Sequence, residues 1–136
     1  MYPSTDIFVM PTYYDSWGLT IQEAMSFGIP VVSTRVLAVP EIVGDAGILI
    51  DKPALNYYND KQLFAWSSWV KFGEHIKTHS FPETVAQLRE AMVTLIESPS
   101  LRRKLGRRAR ERVEKGQVSI PERNKRLLKH YEEAIE

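Results

Sequence analysis

The chain has 136 residues, 43% of them hydrophobic, with 18 basic and 17 acidic side chains and a formal charge of +1. A chain of this length supports one domain burying roughly two thirds of its unfolded surface, and the near-neutral balance points to no polyanionic partner. The absence of cysteine excludes disulfides and thiolate metal sites and fits a cytoplasmic location, while no apolar run approaches about 18 residues and no basic-then-apolar leader opens the chain.

Asp6-Ile7-Phe8-Val9-Met10-Pro11 reads as a short apolar strand, and downstream Ile21, Ala24 and Met25 recur at helical spacing. Gly28 is placed to stop that helix as a left-handed residue, Pro30 prevents its continuation, and Val31-Val32-Ser33-Thr34 reads as a second strand. Pro40 opens a short helix through Val43, Gly44-Asp45-Ala46-Gly47 has turn chemistry, and Ile48-Leu49-Ile50 is a third strand. Alternation at this spacing predicts right-handed crossovers and a parallel sheet: α/β class, a partial doubly wound parallel sheet followed by C-terminal helices.

Beyond the third strand, Asp51 to Tyr58 reads as loop. Asp60 to about Lys77, with Leu63, Phe64, Trp66, Trp69, Val70 and Phe72, reads as helix on a mixed periodicity. Pro82-Glu83-Thr84 starts a helix with an apolar stripe of Val85, Leu88, Met92, Leu95 and Ile96. Pro99 opens another to about Lys115 with a seam of Leu101, Leu105, Ala109 and Val113. A last helix from Pro121 is expected to pack Leu127, Leu128, Tyr131 and Ile135.

The most informative stretch is Asp15-Ser16-Trp17-Gly18-Leu19-Thr20-Ile21-Gln22-Glu23, which sets two carboxylates on either side of a glycine between a strand and a helix. Ligands of open α/β sheets sit outside the carboxyl ends of the strands, where helix N-termini offer unpaired N–H groups and partial positive charge. A phosphate-bearing ligand follows. Gly18 removes a side chain that would hold phosphate off the backbone, and the amides of Gly18, Leu19 and Thr20 become candidate donors. The plainer alternative is a glycine that only eases a turn.

This wording resembles the signature of retaining glycosyltransferases of the GT-B fold, the large family-4 group, in which an acidic residue, seven residues and a glutamate lie between a strand and a helix. The likeness runs through "DIFVMPTYYDSWGLTIQEAMSFGIPVVSTRVLAVPEIVGDAGILI", residues 6 to 50, with Gly28-Ile29-Pro30-Val31-Val32 and Pro40-Glu41-Ile42-Val43 in the expected places. Residues 120 to 135 resemble the family's last helix more loosely. The resemblance implies transfer of a glycosyl group from a UDP-, GDP- or ADP-sugar with retention of configuration, without a metal ion or other cofactor, to a sugar or lipid-linked acceptor. Residues 1–136 then form one nucleotide-sugar-binding portion, with 51–82 as an atypical insertion. An N-terminal domain and a basic pair that clamps the diphosphate would come from elsewhere, and the chain alone is expected to be inactive.

By the same resemblance Glu23 holds the ribose hydroxyls, Asp15 the transferred sugar, and the segment Ser16, Trp17, Gly18, Leu19 and Thr20 the phosphates. A carboxylate suits a vicinal diol because its two oxygens accept two charge-assisted bonds. Each acid has an alternative reading: Thr20-Ile21-Gln22-Glu23 fits a capping box, and Asp15 with Ser16 fits a loop cap. Asp15 also departs from the family's more usual glutamate, a reach shorter by roughly 1.5 Å.

Other classes are open. Arg102, Arg103, Lys104, Arg107, Arg108, Arg110 and Arg112, against the single acid Glu111, form a basic helix that can face nucleic acid, a membrane surface or solvent, and nucleic acid is not the expected partner. Trp66 and Trp69 read first as core residues, with a membrane-interface or partner contact of a non-catalytic domain as the alternative. His75 and His79 stand four apart without an evident third ligand and read as surface residues.

Overall fold

The computed structural model describes residues 2–52 and 66–135. After a single 3-10 turn at Tyr2–Ser4 come strand β1 (Phe8–Met10), helix α1 (Leu19–Ser26), β2 (Val31–Thr34), α2 (Val39–Val43) and β3 (Gly47–Ile50). Among the described residues four helices follow: α3 (Trp66–Thr78), α4 (Pro82–Glu97), α5 (Pro99–Glu114) and α6 (Ile120–Ile135). The strands form a parallel sheet in the order β1-β2-β3, with Phe8 opposite Val31 and Val31 opposite Gly47.

Every residue of β2 is buried, as a central parallel strand covered on both faces requires. Val31 faces a cluster with Ile21 and Met25 of α1, Val39, Ile42 and Val43 of α2, and Ala109 of α5. Val32 faces the other way, toward Ile50, Ala91 and Leu95 of α4, and Leu105 of α5. Each fully buried aliphatic side chain contributes about 1.5 to 3 kcal/mol relative to exposure. Two cores on one sheet are the doubly wound arrangement expected from the strand and helix alternation.

The local stop signals act as the sequence implies. Gly28 adopts φ 71° and its N–H donates to the Met25 carbonyl at 2.9 Å, closing α1 with a left-handed residue that costs glycine little. The chain then re-enters the sheet directly, Pro30 accepting from the Phe8 N–H at 3.0 Å.

Several expectations change. α1 begins at Leu19 with Gly18 as its N-cap, not at a Thr20 cap. α4 buries Ala91 and Leu95 and half-buries Leu88, while Val85 and Ile96 face solvent, because the helix meets the sheet only along its Leu88 and Leu95 side. Among the described residues α6 buries nothing: Leu127, Leu128 and Tyr131 are exposed and Ile135 is 86% exposed. A turn over 115–119 is anchored by buried Val118 and Ser119, and α6 follows from there with its apolar side chains exposed. The loop read over 51–58 and the first part of the helix read from Asp60 fall mostly on residues 53–65, outside the described residues. The side chains of Trp66, Trp69 and Phe72 lie outside them as well.

Candidate functional site

The loop from β1 to α1 leaves the sheet at the carboxyl ends of the strands, and buried hydroxyls from β2 pin its first residues. Ser33 Oγ donates to the Met10 carbonyl at 2.7 Å, and Thr34 Oγ1 donates to the Thr12 carbonyl. Thr12 Oγ1 in turn accepts from the Tyr14 N–H at 3.2 Å. Tyr13 packs against Phe81 at the head of α4, with ring centroids 5.8 Å apart, and burial raises its phenol pKa above 10.0.

At the end of this loop Asp15 Oδ1 accepts from the Trp17 N–H at 3.1 Å and the Gly18 N–H at 2.5 Å. One carboxylate oxygen thus closes the turn, as the loop-cap reading of Asp15 expects. Gly18 is buried at φ 60°, ψ 44°. A methyl there would stand 3.3 Å from Cδ1 of both Ile21 and Ile42, so this glycine serves the backbone angle and the seating of α1 on α2 together. Its amide is already bonded to Asp15, which leaves Leu19, Thr20 and Ile21 as the first-turn amides without a helical partner, the first two on exposed residues. They lie at the positive end of the α1 dipole. Trp17 is 39% and Leu19 66% exposed, and Ser16 is exposed beside them.

Glu23 lies one turn further along α1, on its exposed side. Its Oε2 accepts a hydrogen bond from the Tyr2 hydroxyl at 3.1 Å. The capping box does not form: the N-cap is a glycine without a side-chain bond, and the Thr20 hydroxyl lies 3.2 Å from Met10 Sδ. Glu23 therefore has no local backbone role to explain it. Tyr2 was not a candidate on sequence grounds, and nothing in the local pattern links residues so far apart.

The basic helix has a different character from the one its composition implies. Arg102 Nη1 donates to the carbonyls of Leu95 and Ile96, at 2.6 and 2.8 Å, closing the end of α4. Arg112 does the same for α2, donating from Nε to Ile42 at 2.8 Å and from Nη2 to Glu41 at 2.6 Å. Arg108 pairs with Asp45 at 3.1 Å and Arg110 with Glu114 at 2.7 Å. Four of the seven cations of the apparent polycation are therefore engaged within the fold.

Among the described residues no group of His, Asp and Glu is arranged to hold a metal ion; His75 and His79 stack on each other with centroids 3.8 Å apart. Among the described residues no helix is long and apolar enough to cross a membrane. A cleft of about 280 Å³ lies at the opposite end of β1 and β2, lined by Tyr2, Asp6, Pro30 and Arg103 among others.

A parallel sheet with an acid-flanked loop feeding a helix start suits anion binding outside the carboxyl ends of the strands, and this stretch of the chain is similar to known proteins. The family model described as "Glycosyl transferases group 1" matches residues 1–63. The chain is 49% identical over 51 residues to O-antigen chain mannosyltransferase B of Escherichia coli, covering 38% of this chain and 13% of that protein. It is 32% identical over 97 residues to D-inositol 3-phosphate glycosyltransferase of Corynebacterium glutamicum, 65% of this chain and 23% of that protein. A sulfoquinovosyl transferase of Arabidopsis thaliana is 48% identical over 42 residues, 31% of this chain and 8% of the relative. Residues 1–63 are thus similar to the group 1 glycosyltransferases, and the chain spans less than a quarter of the length of these relatives.

Proposed function

We propose that the protein transfers a glycosyl group from a nucleotide sugar to an acceptor with retention of configuration, and that this chain supplies one side of the donor site. The observation that carries this reading is the start of α1: free first-turn amides at Leu19 and Thr20, between two acids, within the stretch that matches the glycosyltransferase family. Amides at a helix N-terminus stabilise the charge that a departing diphosphate gains. Glu23, free of any capping duty, accepts the ribose hydroxyls of a UDP-, GDP- or ADP-sugar.

Asp15 has two tasks in this reading. Oδ1 holds the turn, and Oδ2 remains to accept from a hydroxyl of the transferred sugar. Such divided use is available to a carboxylate because its two oxygens offer about four lone-pair sites. The basic clamp on the diphosphate, the base pocket and the site for a sugar or lipid-linked acceptor belong to sequence outside this chain. Binding of nucleic acid or a membrane through α5 is the weaker reading, since Arg102, Arg108, Arg110 and Arg112 already have partners within the fold.

The test is calorimetric titration of the complete protein with UDP-, GDP- and ADP-sugars, wild type against Glu23→Ala. Loss of a charged acceptor is expected to cost about 1.5 to 3 kcal/mol in donor affinity. Equal affinity for every donor overturns the assignment of Glu23.

A further inference from the structure

Glu23 stands on an exposed helix surface, where a free glutamate samples several rotamers. Ordering one costs side-chain entropy. In this structure the ordering is already done from outside the helix: the Tyr2 hydroxyl donates to Glu23 Oε2 at 3.1 Å. Tyr2 is itself well placed to hold still. Its ring stacks on Phe27 at the end of α1, with centroids 5.3 Å apart and planes at 17°, and meets Phe8 of β1 at 6.2 Å. Its carbonyl accepts from the Thr5 N–H at 3.0 Å, closing the turn that carries the ring.

We infer that Tyr2 is a positioning residue for Glu23: its phenol fixes one carboxylate oxygen, so that the other is set in advance to accept from ribose hydroxyls of a nucleoside diphosphate. The inference rests on the donor-site reading of Glu23. Tyrosine suits the task because it has only two side-chain torsions to fix and a donor at the end of a rigid ring. The phenol pKa is raised, first by desolvation and then by the bond to Glu23 and its charge, so the hydroxyl keeps its proton, and its role as donor, throughout the neutral range. Holding a binding group in its bound conformation improves affinity by removing an ordering cost at the moment of association.

The complete protein is titrated with UDP and GDP, and with their 2′,3′-dideoxy forms, in the wild type, Tyr2→Phe, Glu23→Ala and the double variant. Phenylalanine keeps the ring packing on Phe27 and Phe8 and removes only the hydroxyl, and a thermal melt confirms that the fold is retained. Tyr2→Phe is expected to weaken whichever ribonucleotide binds by about 3- to 10-fold, the range of one net hydrogen bond. The dideoxy forms are expected to bind Tyr2→Phe and wild type alike, and Tyr2→Phe is expected to add nothing once Glu23 is alanine. If Glu23→Ala weakens the ribonucleotide and Tyr2→Phe does not, the positioning role is overturned while the donor-site reading stands. An equal loss for ribo and dideoxy forms in Tyr2→Phe also overturns it, since only packing would then be at stake. No effect of Glu23→Ala on either nucleotide overturns both.

Discussion

Gly106 of α5 rides against Gly28 at the end of α1: a methyl on Gly106 would stand 2.0 Å from the Gly28 carbonyl oxygen. No side chain fits there, and the obstacle is backbone rather than a rotatable group. Gly106→Ala gains up to about 1 kcal/mol in helix propensity but meets an overpacking cost of about 3 kcal/mol. Urea denaturation is expected to show a net loss of about 2 kcal/mol. Gly73 of α3 is the control: nothing lies within 4 Å of its missing methyl, so Gly73→Ala is expected to gain about 0.5 to 1 kcal/mol.

Arg112 lies across the end of α2 and over Gly44, where an added methyl would come within 2.6 Å of the guanidinium carbon. Arg112→Ala leaves the carbonyls of Glu41 and Ile42 without this donor and is expected to cost about 1 to 3 kcal/mol. Arg112→Lys is expected to recover less than half of it, since one ammonium does not reproduce a planar fork that spans two carbonyls. Equal stability of the lysine variant and the wild type would show that charge alone, not geometry, serves this end of α2.

Asp15 separates two roles by substitution. Asp15→Asn keeps an oxygen for the Trp17 and Gly18 amides and is expected to hold the melting temperature near that of the wild type. Asp15→Ala removes the acceptor and is expected to cost about 1 to 2 kcal/mol. In the complete protein, if it turns over a nucleotide sugar as proposed, a fall in turnover for Asp15→Asn at unchanged stability assigns the charge to the sugar; unchanged turnover leaves Asp15 as a loop cap only.

Leu37, in the connection from β2 to α2, is the one described non-glycine residue with positive φ, at 43°, and its side chain is 49% exposed. A β-carbon in this region costs roughly 1 to 2 kcal/mol. Leu37→Gly relieves that strain but loses some partial burial and frees the unfolded chain, so the expected gain is about 0.5 kcal/mol, read as a higher denaturation midpoint at an unchanged slope.

Tyr2 and Tyr13 both have phenol pKa values raised above 10.0, which means that folding favours their neutral forms. Their contribution is complete below pH 10 and is lost as pH rises through the folded values. Stability is expected to fall above pH 10, less steeply in Tyr13→Phe, and a denaturation series from pH 8 to 11 checks the slope.

The elements that were legible in the chain are those set by short-range chemistry. Ile21, Ala24 and Met25 are buried as their helical spacing implies, β2 falls on the four residues read as strand, and Gly28 takes the left-handed angle that its place before Pro30 requires. Backbone angles, period and glycine freedom act within a few residues, so a single sequence carries them.

Glu23 shows the other case. Its text fitted both a capping box and a ligand acid, and only folding, which brings Tyr2 across 21 positions to its carboxylate, removed the first. The same holds for Arg112, whose partners lie 70 and 71 residues away, and for α6, whose apolar stripe looked like core and faces solvent. Amphipathic spacing states that a face is apolar, and arginine content states that donors exist; neither states what lies opposite. The chain alone thus determined the strand and helix alternation, the glycine stops and the acid-flanked loop, because those depend on neighbours in sequence. Which amides stay free, which cations are engaged and what holds Glu23 depend on neighbours in space, and only the packed domain supplies those.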